Sequence, residues 1–145
     1  MSNFKVKSNK FDVNVTAHLG NQKYLTKIIS GDKEIIGDEP EFLGGNNLGF
    51  NPYEFLASAL SMCTAATLRQ YTNLKNLDVG EISVNVNFSN NAMEKIATFT
   101  KEINFENQEL DEATLTTLKR VAESCPVNKL LTNEIVVNTN VKGVS

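Results

Sequence analysis

Tryptophan is absent from this sequence, histidine occurs once and cysteine twice. With His18 alone, no C-x-x-C pair and no H-E-x-x-H helix, no metal-ligand spacing is present, and no metal is expected. The G-x-S-x-G elbow of serine hydrolases is also missing. No glycine motif cradles a phosphate, so the run GGNNLG (Gly44–Gly49) is read as shaping a loop, and no cofactor is expected. The longest uncharged stretch has fourteen residues, fewer than the roughly 18 that a membrane-spanning helix needs. The N-terminal segment has no continuous apolar region of the secretory kind, so the expected location is the cytoplasm. Net charge is −3 with the lysines scattered, which gives no electrostatic footprint for nucleic acid or an anionic membrane, and neither is an expected partner.

What is present fits one domain spanning residues 1–145. Phe11–His18 alternates apolar and polar residues as a half-buried strand does, and Lys23–Ser30 and Glu34–Gly37 follow it across short turns. Asp38–Phe50 is a long irregular loop, and loops of this length in a compact domain are often functional. Asn51 then supplies an N-cap, Pro52 fits the first helical position, and Glu54 stands where its carboxylate reaches back to the cap amide. The helix is expected to run to about Tyr71. Two long antiparallel strands follow, Leu77–Ser89 and Lys95–Phe105, then an amphipathic helix over Asp111–Ser124, a short helix from Cys125 to Leu131, and a closing strand over Glu134–Val141. The fold class is α+β, two groups of antiparallel strands around central helices. FLASALSMCTAATL (Phe55–Leu68) carries no charge and needs cover on nearly every side, which a second copy of the chain would supply. A homodimer is therefore expected.

The chemistry must come from the cysteines, which in cytosol are reduced thiols rather than a structural staple. Cys63 lies in the middle of the apolar helix, where a thiol is either packing or a reaction centre. Cys125 directly precedes Pro126 and the short helix, where free backbone amides favour a thiolate. Two thiols suffice for a cycle in which one is oxidised to sulfenic acid and the other condenses with it. The sequence alone does not bring them together across 62 residues.

DEPEFLGGNNLGFNPYEFLASALSMC (Asp38–Cys63) followed by CPVNK (Cys125–Lys129) resembles the OsmC/Ohr family of osmotically inducible and organic hydroperoxide resistance proteins, closer to its broad OsmC-like branch. The resemblance implies an intertwined homodimer and a thiol peroxidase for organic hydroperoxides. Cys63 would be the peroxidatic cysteine and Cys125 the resolving one, with a dithiol or a lipoylated protein as reductant. The hydroperoxide resistance proteins hold the peroxidatic thiolate with an N-terminal arginine and a glutamate ten residues before the cysteine. Here no arginine precedes Arg69, and the residue ten before Cys63 is Tyr53. Glu54 is nine before it, about 180° round a regular helix. Lys23 or Lys27 could stand in for the arginine, without its bidentate fork. Tyr53, Glu54 and Lys27 are thus the candidates for positioning substrate. Two other functions stay open: an OsmC-fold protein that binds an apolar small molecule at the dimer interface, and a thiol redox sensor.

Overall fold

The computed structural model describes residues 12–143 and orders them as strands β1 (Thr16–Leu19), β2 (Thr26–Ser30) and β3 (Lys33–Gly37), helix α1 (Pro52–Leu74), strands β4 (Ile82–Asn91) and β5 (Ile96–Phe105), and helices α2 (Glu112–Glu123) and α3 (Pro126–Leu131). The elements mix helices with two antiparallel sheets, β1-β2-β3 and β4-β5, as the α+β class requires. Contacts divide the chain into a unit ending at Phe55 and a unit starting at Leu56, each taken by itself below.

In the N-terminal unit, β2 pairs with β1 through Thr16↔Ile29 to Leu19↔Thr26 and with β3 through Thr26↔Gly37 to Ser30↔Lys33. The first strand is shorter than its alternating pattern suggests: Asp12–Val15 pairs with no strand among the described residues, and Phe11 lies outside them. The loop that follows β3 is organised by Asp38, which is only 4% exposed. Its carboxylate accepts from the backbone N–H groups of Glu39 at 2.8 Å, Asn46 at 3.2 Å and Leu48 at 3.1 Å. The Leu48 N–H is the strongest of the influences that hold its pKa below the ordinary aspartate value. Two loop glycines are there because a Cβ would strike main chain: at Gly45 it would overlap the Glu39 carbonyl, and at Gly49 that of Ile36. The start of α1 forms the expected capping box, with Glu54 N–H donating to Asn51 Oδ1 at 2.9 Å and Asn51 N–H to Glu54 Oε1 at 2.9 Å.

In the C-terminal unit, α1 buries a stripe at i, i+4 spacing, Leu60, Thr64, Leu68 and Thr72. Leu68 joins Val79, Leu118 and Ala122 in a core, with Tyr71, Ile82, Ile103 and Phe105 packed against it. β4 and β5 pair in register from Ile82↔Phe105 to Asn91↔Ile96, and their inward positions alternate as Ile82, Val84, Val86 and Phe88 against Phe99, Lys101, Ile103 and Phe105. Among the described residues, apolar side chains of the helix remain exposed: Leu56, Met62 and Leu74 are 47%, 75% and 77% exposed. Glu134–Val141 forms no strand, contrary to its alternating pattern, and Val136 and Val137 stand exposed. A strand exists only where another supplies ladder hydrogen bonds, and none of the described strands pairs with this segment.

Candidate active site

Cys63 and Cys125, 62 residues apart in sequence, meet in the C-terminal unit. Helix α1 fixes the first in the row next to its buried stripe. The second is placed by the junction of two helices: Asp111 caps α2, which ends at Glu123, and Cys125 in extended conformation caps α3 ahead of Pro126. Cys125 is fully buried, Cys63 half-buried, and both are free thiols.

The first turn of α3 serves both sulfurs. Its Asn128 N–H donates to Cys125 Sγ at 3.3 Å, and its Val127 N–H donates to the sulfur of Cys63. The remaining contacts separate the two thiols. Thr64 Oγ1 donates to Cys125 Sγ at 3.4 Å, and Lys101 Nζ, reaching in from β5, donates to Thr64 Oγ1 at 3.0 Å and to the Ala122 carbonyl at 2.9 Å. Cys63 stands next to Cys125, close enough for the two sulfurs to act on each other.

These surroundings push the thiols in opposite directions. Burial is the largest influence on Cys125 and works against its charge, but the Thr64 hydroxyl, the Asn128 N–H, the Cys63 thiol and the Lys101 ammonium together outweigh it and bring its pKa below the ordinary thiol value. Cys63 is raised, chiefly by burial and then by the neighbouring Cys125, with the Val127 N–H and the Thr67 side chain opposing.

Lys101 and Asn128, which serve the Cys125 side of the site, also line a cavity of about 460 Å³ together with Leu60, Ala97, Thr98, Phe99, Leu131 and Thr132, a mixed polar and apolar lining and a volume within the range of small-molecule sites. Among the described residues no group of three or more His, Cys, Asp or Glu side chains is placed to hold a metal.

The weaker candidates all belong to the N-terminal unit. Glu54 is committed to the capping box, Tyr53 is half-exposed, and Lys27 is an exposed residue of β2 opposite His18. Arg69 donates to the Gly80 carbonyl at 2.7 Å. Sequence reasoning missed Thr64 and Lys101. Lys101 had a legible signal: in FTKEINF (Phe99–Phe105) it occupies an inward position between Phe99 and Ile103, and a charge in the apolar phase of a strand needs a buried partner. Thr64 carried none, because its neighbours on the helix include other small polar residues.

A family model described as OsmC-like protein matches residues 44–140, more than half of the chain. A Psychrobacter arcticus protein of the osmotic stress and detoxification response has a similar structure, with a TM-score of 0.69 at 26% identity over 83% of this chain and 88% of that one. The OsmC-like protein of Mycoplasma pneumoniae gives 0.65 at 24% identity over 83% and 87%, and the organic hydroperoxide resistance protein OsmC of Legionella pneumophila gives 0.64 at 20% over 84% and 90%. The two more distant likenesses bear on the fold alone. No curated protein matches the chain.

Proposed function

The chain belongs to the OsmC-like proteins, and from that premise we propose that it is a two-cysteine thiol peroxidase for organic hydroperoxides. The observation that carries this reading is the meeting of Cys63 and Cys125, thiol to thiol, near a cavity that Leu60, Phe99 and Leu131 wall in part. Cys63, the less buried of the two, attacks the hydroperoxide; the O–O bond breaks, an alcohol leaves and the sulfur becomes a sulfenic acid. Cys125 attacks that sulfur, forming a disulfide and releasing water. A dithiol returns both cysteines to thiols in two exchanges and is itself oxidised to a disulfide.

The working unit in this proposal is a homodimer in the cytoplasm. Two features favour a second copy: apolar α1 side chains exposed in the single chain, and Glu134–Val141, whose strand pattern has no ladder partner among the described residues. No described helix is long and apolar enough to cross a membrane. The raised pKa of Cys63 favours a second reading, a redox sensor that forms the disulfide but turns over slowly, because attack requires the thiolate.

The test is thiol counting by mass spectrometry before and after one equivalent of cumene hydroperoxide, with hydrogen peroxide in parallel. Loss of both thiols to a Cys63–Cys125 disulfide, faster with the organic peroxide, is expected. Survival of both thiols refutes the peroxidase. A disulfide that dihydrolipoamide does not reduce in repeated cycles selects the sensor instead.

A further inference from the structure

Thr64 and Lys101 take no part in the cycle just described, yet they are the polar side chains that set Cys125 apart from Cys63. Their hydrogen atoms can be assigned by elimination. A lysine ammonium only donates, so in the 3.0 Å contact the Thr64 oxygen is the acceptor. The single hydroxyl hydrogen of Thr64 is then free to point along the 3.4 Å contact to Cys125 Sγ. With the Asn128 N–H at 3.3 Å, two donors converge on one sulfur that is itself fully buried, and the Lys101 ammonium stands behind one of them. Both donors point at the sulfur, and a thiolate accepts from them strongly whereas a thiol accepts only weakly. The ammonium is fixed independently of the thiols, because it also donates to the carbonyl of Ala122 in the last turn of α2, where the helix dipole favours a cation. Cys63 from α1 and Lys101 from β5 are the titratable and charged groups that act on Cys125.

We propose that Lys101, acting through the Thr64 hydroxyl, is a positioning residue that keeps the negative charge of the thiol pair on Cys125. Its role in turnover rests on the peroxidase reading. As Cys63 attacks, its proton passes to the Cys125 thiolate, and the Cys63 sulfur takes hydroxyl from the hydroperoxide. The departing alkoxide takes the proton from Cys125, leaving as alcohol. Cys125 is again a thiolate, the form that attacks the sulfenic acid; the hydroxide released is neutralised by a solvent proton. In this scheme Lys101 and Thr64 act on the Cys125 sulfur, and the Lys101 side chain also edges the cavity.

The test is the thiolate ultraviolet absorbance of Cys125 against pH in a Cys63→Ala background, where it is the only thiol. Lys101→Met and Thr64→Val are each expected to raise the midpoint by about one pH unit, and Lys101→Arg to recover at least half of that shift. In the full-length two-cysteine protein, the same two variants are expected to slow the step from Cys63 sulfenic acid to disulfide, after one equivalent of cumene hydroperoxide, about threefold at neutral pH, with recovery at higher pH. A midpoint unmoved in both variants overturns the proposal. Should Lys101→Met not fold, the near-isosteric Thr64→Val decides alone by the same midpoint. Absence of hydroperoxide consumption by the unmodified protein would instead refute the peroxidase, and the titration would still decide the role of Lys101.

Discussion

Replacing Glu54 separates its capping role from a role in peroxide chemistry. Its carboxylate accepts from the Asn51 N–H at 2.9 Å while its own N–H donates to Asn51 Oδ1 at 2.9 Å. Glutamine reaches as far, offers a carbonyl oxygen, and is the alternative the capping box accepts. Glu54→Gln therefore loses only the favourable charge at the positive end of α1, about 0.3–1 kcal/mol. Glu54→Ala also leaves the Asn51 N–H without its side-chain acceptor, which adds about 1 kcal/mol. With roughly 2–4 °C per kcal/mol for a domain near this size, the expected Tm losses are at most about 4 °C for Gln and about 3–8 °C for Ala. Circular dichroism melts read these shifts, and cumene hydroperoxide consumption with a dithiol reads activity on the same samples. If Glu54 is a cap, both variants keep activity within about threefold where they are folded, since neither touches the thiols. The reasoning is refuted by a Glu54→Gln protein that melts within this range yet loses activity by about tenfold or more, a cost of about 1.4 kcal/mol in the reaction barrier. That result would place the carboxylate charge in the chemistry.

Two further outcomes follow from burial and charge. Leu68 is fully buried in the core behind Thr64, so Leu68→Ala is expected to cost about 2–5 kcal/mol in urea unfolding, and a loss below about 1 kcal/mol would show that the site collapses or is not core. Because the folded pKa of Cys125 is lowered, its ionisation contributes stability that is present above the ordinary thiol pKa and lost as pH falls through the folded value. In that window Cys63, raised, stays protonated. The stability of the wild type relative to Cys125→Ser is thus expected to rise with pH between the lowered value and the ordinary one; a flat or falling difference would contradict the charge placement.

Most elements were legible because their signals are local. The cap at Asn51, the period-two runs of β4 and β5, and the acidic start of α2 each need only neighbouring residues, and the structure has them within a few positions. The segments that fail are those whose fate depends on distant partners. Glu134–Val141 has a strand's alternation but no strand, since a ladder needs hydrogen bonds that a pattern cannot supply. The site divides the same way. Cys63 and Cys125 stood out by type and local context, whereas the value of Thr64 comes entirely from Lys101 and Cys125, at sequence distances of 37 and 61. The role of Asp38 in the loop was not legible for the same reason, its three N–H partners being fixed only once the loop has closed around it.

The difference between the two thiols then reduces to one hydroxyl and one ammonium. Both sulfurs receive an N–H from the first turn of α3, Val127 to Cys63 and Asn128 to Cys125, and both are opposed by burial. A backbone turn cannot tell them apart. A threonine one residue after Cys63 turns its oxygen to the other cysteine, and a lysine in the apolar phase of β5 fixes which way its hydrogen points. The chain has no arginine before Arg69 to hold charge near Cys63. Its cation instead enters from β5 and acts through Thr64 on Cys125, the resolving thiol of the proposed cycle. A site so arranged favours fast closure of the disulfide over fast attack on the peroxide, so saturating kinetics should be limited by the first oxidation of Cys63 and not by resolution.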